Sequence, residues 1–216
     1  MNTTCPRVSV ALASGLVLAF AMLASVTAYA ADKPADKPAG TTLDNLIAAF
    51  DGESNANARY IAFAKKADEE GFKGAAALFR GAARAEEIHA ANHKKVIEAL
   101  GGKAQADIKA PEVKSTKENL EAAIKGESYE RDTMYPEFIA KARKDNNKDA
   151  LRSFNFAKTA EAEHAKLYKT ALDGLDTWKE AKTFYVCPIC GYTTTSLNFE
   201  KCVSCFTPKE KYISVA

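Results

Sequence analysis

The chain has 216 residues, which is enough for one domain of moderate size and a second small one. Thirty basic and 28 acidic residues leave a formal net charge of only +2, and no basic cluster is interleaved with aromatic residues. Nucleic-acid binding is therefore not expected, because the phosphate backbone is bound mainly through a basic surface. Four of the five cysteines lie in the last thirty residues, so the end of the chain has its own chemistry.

The first thirty residues are typical of a secretory signal peptide. Arg7 supplies a positive start, residues 8–26 are apolar and uncharged, and Ala28-Tyr29-Ala30 matches the small-x-small cleavage pattern. We expect residues 1–30 to be removed on export to the periplasm, which leaves no stable membrane span. An uncleaved membrane anchor is the alternative, because this segment is long enough to cross a bilayer. Residues 31–42, with a repeated Asp-Lys-Pro-Ala, should form a flexible tether.

Residues 43–174 predict a bundle of four helices, because apolar residues recur at spacings of three and four through four long segments. Gly71 ends the first segment at a short turn, whereas residues 101–114 lack periodicity and form the one long connection. A long crossover after two helices predicts a mainly α protein with a ferritin-like four-helix bundle. The four predicted helices cover about 43–70, 73–100, 115–144 and 148–172.

Three further signals concern the third predicted helix. Ser115 and Glu118 match the capping-box pattern, so the helix should begin at Ser115. Pro136 should kink the helix, because proline lacks an N–H and its ring clashes with the preceding turn. The polar run Asp145 to Asn147 should end it.

A four-residue Glu-x-x-His pattern occurs twice, once in each half of the predicted bundle. Each pattern is preceded, 33 or 34 residues earlier, by a glutamate within a Gly-Glu-Ser triplet. Positions i and i+3 of a helix lie about 60° apart, so the glutamate and histidine of each pattern point the same way. Four-helix bundles hold two metal ions with such a duplicated set. The residues are Glu53, Glu86 and His89 in the first half and Glu127, Glu161 and His164 in the second.

Glu130 adds a fifth inward carboxylate on the third helix. Five buried carboxylates are too costly without compensation, and two divalent cations would neutralise most of their charge. Mixed oxygen and imidazole ligands suit iron or manganese. His93 follows His89 by four residues but has no counterpart in the second half. We therefore interpret His93 as a supporting or partly exposed packing residue and not as a ligand.

Two Cys-x-x-Cys knuckles, Cys187/Cys190 and Cys202/Cys205, lie near the end of the chain with eleven residues between them. Four thiolates in this arrangement can surround one zinc or iron ion tetrahedrally. Two disulfides are the alternative, because export places the cysteines in an oxidising compartment. The spacing favours the metal. Residues 175–216 also have too little core to fold alone, so a metal staple makes physical sense.

These motifs, together with the Met134-Tyr135-Pro136 triplet, resemble the rubrerythrin family over nearly all of the chain after the tether. The resemblance implies that one iron moves between Glu130 and His89 as its oxidation state changes. It also implies that Tyr60 and Tyr135 hydrogen-bond the cluster carboxylates. The implied ligands of a non-haem di-iron centre are Glu53, Glu86, Glu127, Glu130, Glu161 and His164.

The cysteine-rich tail resembles a rubredoxin-like domain, as found at the C-terminus of rubrerythrins. This resemblance implies that Cys187, Cys190, Cys202 and Cys205 hold one iron that carries single electrons. A zinc ribbon is the alternative. Val203 and Phe206 depart from the pattern, because related sequences usually have proline and a small residue at these positions.

By this resemblance we expect an exported peroxidase that reduces hydrogen peroxide to water in oxidative-stress defence. Glu130, His89, Tyr60 and Tyr135 are the residues expected to take part in turnover. Electrons from a donor protein that the sequence does not identify would pass through the Fe(Cys)4 centre. Rubrerythrins are typically head-to-tail dimers, so a homodimer or larger homo-oligomer is expected. The alternatives are a ferroxidase acting at the same site and a non-catalytic metal-binding protein with a zinc ribbon.

Overall fold

The computed structural model describes residues 1–2 and 40–216, and every described residue from Gly40 onward belongs to one compact unit. The predicted signal peptide beyond its first two residues, and the predicted tether up to residue 39, lie outside the described part of the chain. Within residues 1–2 and 40–216, no helix combines the length and apolar character required to cross a membrane.

Five α-helices build the bundle, since the third predicted helix is divided in two. They are α1 Thr42–Glu69, α2 Lys73–Ala99, α3 Thr116–Tyr129, α4 Tyr135–Lys144 and α5 Lys148–Asp173. Thr41 caps α1 and Ser115 caps α3, and each forms a capping box with the acidic residue three positions later. Gly71 and Gly101, which follow α1 and α2, adopt the left-handed conformation common after helix ends. The predicted helix bounds differ from these by at most one residue.

A π-helical turn, Glu130–Met134, separates α3 from α4. The regular hydrogen-bond pattern cannot continue through Pro136, because its nitrogen has no hydrogen to donate. The π-helical turn directly before Pro136 is wider than an α-helical turn and accommodates the missing hydrogen bond. The sequence predicted one helix with a kink, and the structure replaces that prediction with two helices joined by a π turn.

The buried positions of α1 alternate regularly by three and four residues, as a helix packed along its whole length requires. This stripe consists of Leu46, Ala49, Glu53, Ala56, Tyr60, Phe63 and Ala67, and Thr42, Asn45 and Ala64 are buried beside it. Leu46 and Ala49 belong to one hydrophobic cluster of the bundle, and Ala56 and Tyr60 belong to another. Glu53 lies between the two clusters, so its carboxylate is held at a fixed level inside an apolar core.

The residues after the bundle form a three-stranded antiparallel sheet of order β2-β1-β3, with β1 Phe184–Val186, β2 Thr193–Thr194 and β3 Ile213–Val215. Trp178 and Phe184 are part of the bundle's own hydrophobic core. Glycine on α2 permits this close approach: a Cβ at Gly74 would lie 2.7 Å from the carbonyl oxygen of Glu180. The tail therefore packs on α2 of its own chain, which brings the first cysteine knuckle to the middle of the bundle.

Candidate metal centres

Six of the predicted ligands converge inside the bundle as two overlapping groups. In each group the ligand atoms lie within 4.8 Å of one another, and no side chain of the six is more than 1% exposed. Glu86 and Glu161 belong to both groups, so these two carboxylates are shared between the two candidate metal-binding groups. The groups are Glu53, Glu86, His89 and Glu161, and Glu86, Glu127, Glu161 and His164.

His89 is oriented by the first cysteine knuckle. Its Nε2 lies 3.0 Å from the carbonyl oxygen of Cys190, and because a carbonyl only accepts, Nε2 carries the proton. Nδ1 then faces Glu86 Oε2 at 2.8 Å and Glu161 Oε1 at 3.2 Å. Three groups with lone pairs can share this space only around a proton or a cation. Accordingly, although burial opposes protonation, the negative charges of Glu161 and Glu86 raise the pKa of His89 well above its ordinary value.

The second imidazole, His164, is held in the same way. Its Nε2 lies 3.0 Å from Thr193 Oγ1, and the Thr193 hydroxyl donates to the carbonyl of Gly191 at 3.0 Å. The hydroxyl oxygen must therefore accept from Nε2, which leaves Nδ1 directed at the carboxylates, 3.0 Å from Glu161 Oε2. A histidine that binds a metal through one ring nitrogen typically donates a hydrogen bond through its other ring nitrogen.

Among residues 40–216, several buried ligand atoms find no hydrogen-bond partner, and this fits a cation. They are Glu53 Oε2, Glu86 Oε1, Glu127 Oε2, both carboxylate oxygens of Glu161, and His164 Nδ1. A buried polar atom without a partner is rare in folded proteins, because desolvation is then uncompensated. The four carboxylates carry up to four negative charges, which two divalent ions would balance. The donor set of oxygen and imidazole nitrogen suits iron or manganese.

Burial and mutual repulsion perturb the acidity of the carboxylates. Burial, with the charges of Glu161 and Glu86, raises the pKa of Glu53 well above its ordinary value. Burial and the neighbouring charges of Glu86 and Glu161 raise the pKa of Glu127 to about 8. Burial also opposes ionisation of Glu86, but His164 and then His89 outweigh it and lower the pKa of Glu86 to about 2. Bound cations would favour the ionised form of every ligand.

The two predicted tyrosines contact the carboxylates. Tyr60 donates a hydrogen bond of 2.6 Å to Glu127 Oε1, and Tyr135 donates one to Glu53 Oε1. Glu130, at the start of the π turn, is partly exposed and lies outside both four-ligand groups. Burial of its carboxyl group and the charges of Glu53 and Glu127 nevertheless raise its pKa well above the ordinary value. Its role as a ligand stays a prediction.

Of the two predicted alternatives for His93, the structure agrees with a supporting residue, because the side chain is fully buried and contacts Tyr135. Its Nε2 lies 3.1 Å from the Tyr135 hydroxyl and its Nδ1 lies 2.7 Å from Ser153 Oγ. Ser153 and Thr193 were not predicted from the sequence. A polar residue within the buried stripe of α5 was a usable signal for Ser153, whereas nothing local marked Thr193.

The four cysteines of the tail form a compact cluster without disulfides. Cys187 Sγ and Cys205 Sγ are 3.4 Å apart, and Cys190 Sγ and Cys202 Sγ are 3.6 Å apart. A tetrahedral ion with sulfur ligands at about 2.3 Å sets its sulfurs about 3.8 Å apart. Hydrogen bonds from Cys187 and Cys190 lower the pKa of Cys202, and the thiolate is the metal-binding form. The geometry favours a metal over the predicted alternative of two disulfides, and it fits iron and zinc equally.

The two knuckles share one turn geometry. The amide of Gly191 donates to the Cys187 carbonyl at 3.0 Å, and the amide of Phe206 donates to the Cys202 carbonyl at the same distance. Gly191 and Phe206 have φ values of 74° and 62°, in the left-handed region that favours glycine. This explains why a small residue suits the position that Phe206 occupies. The Phe206 side chain is 72% exposed, so its size causes no clash inside the protein.

A helical bundle with two carboxylate and histidine groups, followed by a four-cysteine tail with a small sheet, defines a ferritin-like di-metal protein with a rubredoxin-like domain. The predicted fold class is thereby confirmed. The family model described as rubrerythrin matches residues 44–172. The chain belongs to the rubrerythrin family, as its motifs predicted.

Relatives and solved structures agree with this assignment. Nigerythrin from Nitratidesulfovibrio vulgaris is 42% identical over 174 residues, which are 80% of this chain and 86% of nigerythrin. Rubrerythrin-2 from Clostridium acetobutylicum is 35% identical over 176 residues, or 79% of this chain and 95% of that protein. The structure of fully reduced, all-ferrous nigerythrin matches with a TM-score of 0.78 at 39% identity, covering 86% and 91% of the two chains. The protein is therefore a di-iron protein of an oxidoreductase family.

Proposed function

We propose that this protein is a peroxidase that reduces hydrogen peroxide to two molecules of water, consuming two electrons and two protons. Its membership of a di-iron oxidoreductase family supports this class of reaction. The observation that carries the proposal is the contact between His89 Nε2 and the carbonyl oxygen of Cys190. Cys190 also contributes its thiol to the four-cysteine cluster. One residue thus joins the two candidate metal centres, as an electron relay requires.

Iron is the ion that we propose for both centres. An iron pair in the carboxylate site would supply the two electrons that cleave the O–O bond. Zinc in the cysteine site would be redox-inert and could not pass electrons, so the relay requires iron there as well. Three iron ions per chain are then expected, held by the carboxylate and histidine groups and by the four cysteines.

The role of the protein itself is to hold the ligands in place and to exclude water from the carboxylate site. Tyr60 and Tyr135 orient two of the carboxylates, while Cys190 and Thr193 turn the inner nitrogens of both histidines toward the site. The ligands are almost completely buried, so the dielectric around them is low and each oriented dipole acts strongly. Glu130, at the partly exposed π turn, is the residue we propose for a change of ligand during turnover.

A homodimer and export to the periplasm complete the proposal. The tail already contacts the bundle of its own chain through Cys190 and His89. An exchange of tails between two head-to-tail copies would preserve the same contact, so the relay works in either arrangement. The electron donor would be a protein that reaches the four-cysteine centre.

The test compares sustained turnover with a single reaction of the iron-loaded, full-length protein. The reduced protein is mixed anaerobically with peroxide, or with oxygen, with and without an added reductant. Cys205→Ser should react once with peroxide but lose sustained turnover, because it lacks the relay ion. Ser204→Ala, in the same knuckle, is the matched control and should behave like the natural protein.

Either of two results would refute the proposed peroxidase function. Fast oxygen consumption together with sluggish peroxide consumption would identify a ferroxidase. A colourless cysteine site that contains zinc would exclude the relay, and Cys205→Ser would then leave sustained turnover unchanged.

A further inference from the structure

The surroundings of the two carboxylate-bound tyrosines differ sharply. The ring of Tyr60 packs among Phe63, Phe79 and Tyr168, with ring centroids 5.5 to 6.2 Å away. The hydroxyl of Tyr135 instead meets a second polar side chain, His93, which in turn meets Ser153. The Tyr135 side of the site therefore has a continuous run of three hydrogen-bonding side chains, Tyr135, His93 and Ser153.

This run ends at Ser153, a buried residue that lines a cavity. A cavity of about 230 Å³ lies between α2 and α5, and Ser153 is part of its wall. Lys95, Asp149 and Arg152, which are exposed, line the same cavity. Charged walls of this kind favour water inside the cavity, which would bring water to the wall that contains Ser153.

We propose that Ser153, His93 and Tyr135 carry protons from this cavity to the carboxylate of Glu53 in the buried site. The inference rests on the proposed function, because each peroxide reduced consumes two protons. The six side chains of the two four-ligand groups are at most 1% exposed, so protons need a defined path to them. His93 is fully buried and is not a ligand, so supplying this path accounts for a polar ring in an otherwise apolar position.

The hydrogen bonds that join Ser153, His93, Tyr135 and Glu53 all have the same donor-to-acceptor direction. Tyr135 donates to Glu53 Oε1, so its oxygen is free to accept from His93 Nε2 at 3.1 Å. With the proton on Nε2, His93 Nδ1 must accept, and Ser153 Oγ donates to it at 2.7 Å. Three donors in succession are thus aligned from the cavity toward the carboxylate.

One passage along the run moves one proton and no electrons. Ser153 takes a proton from cavity water as it gives its own to His93 Nδ1. His93 gives its Nε2 proton to Tyr135, and Tyr135 gives its proton to Glu53 Oε1, beside the place where peroxide oxygen is reduced. One passage therefore supplies one of the two protons that each reduced peroxide consumes.

The first measurement is independent of activity. The chain has three histidines, so spectra of the full-length, zinc-substituted protein labelled with ¹⁵N-histidine are simple to assign. We expect the proton of His93 to lie on Nε2 and to exchange with water. Ser153→Ala should slow this exchange by about tenfold or more, because it removes the hydroxyl that connects the ring to the cavity. Ser153→Thr should restore it.

Thr159→Ala is the matched control, since Thr159 is an exposed hydroxyl residue on the same helix that bonds only the Asn155 carbonyl. The His93 exchange rate should not change in this variant. The second measurement is the solvent isotope effect on peroxide reduction by the iron-loaded protein, which should rise in Ser153→Ala and return to normal in Ser153→Thr.

Unchanged exchange of the His93 proton in Ser153→Ala would overturn the route. So would slower exchange without any change in the rate or isotope effect of peroxide reduction, because the contact would then be only structural. If the natural protein does not reduce peroxide at all, the proposed function fails. Slower exchange in Ser153→Ala would still support the route in that case, so the two failures are distinguishable.

Discussion

Replacing Gly191 with alanine tests whether the first cysteine knuckle positions His89. A Cβ at this position would lie 2.3 Å from His89 Nε2 and 2.8 Å from its Cδ2. Ordinary contacts between non-bonded heavy atoms begin at about 3.5 Å, so the ring or the knuckle must move by about 1 Å. Either movement breaks the hydrogen bond between His89 and the Cys190 carbonyl and turns Nδ1 away from the carboxylates.

The size of the effect follows from two terms. Gly191 has a φ of 74°, and a non-glycine residue in this region costs about 1–2 kcal/mol. A buried donor and acceptor left without partners cost about 1–3 kcal/mol more. Gly101→Ala isolates the first term, because Gly101 has a φ of 77° but nothing lies within 4 Å of its added Cβ. Gly191→Ala should therefore be about 1–3 kcal/mol less stable than Gly101→Ala.

Chemical denaturation of the metal-loaded, full-length variants measures this difference. The visible spectrum of the iron-loaded carboxylate site is the second readout, and it should change in Gly191→Ala alone. Equal loss of stability in both variants, with identical spectra, would refute the positioning of His89 by the knuckle.

Three further predictions concern charge, metal content and backbone strain. The Glu127 carboxyl keeps its proton up to about pH 8 in the folded, metal-free protein but loses it near 4.5 when unfolded, so the metal-free protein loses stability as pH rises between these values. Glu127→Gln should therefore stabilise the metal-free protein at pH 8 and have little effect at pH 5; urea denaturation giving equal effects at both pH values would contradict this. Cys202→Ser should lower the metal content by one ion per chain in elemental analysis, and an unchanged content would show that this thiol binds nothing. Phe206→Gly should raise the stability of the loaded protein by about 1 kcal/mol, because it relieves a left-handed φ at an exposed side chain; a lower thermal midpoint would argue against strain there.

Periodicity and local spacing were sufficient to predict the bundle and most of the buried carboxylate and imidazole groups that converge inside it. Glu53 was identifiable because it occupies a buried position in a stripe of apolar residues, where an unpaired charge is too costly to be incidental. Glu86 and Glu161 each stand three residues before a histidine, and a helix places such a pair on one face. The four-cysteine cluster was predictable for the same reason, since each knuckle is a local turn of the chain.

The sequence by itself therefore determined the fold, the family and the identity of the groups that face inward. Only the tertiary structure decided which histidine nitrogen points at the carboxylates, because that choice depends on Cys190 and Thr193, 101 and 29 residues away from the rings they bind. The contact between Ser153 and His93, 60 residues apart, has the same origin. Helical periodicity and knuckle spacing are short-range properties of the chain, whereas these hydrogen bonds exist only after the tail packs on α2 and α5 packs beside it.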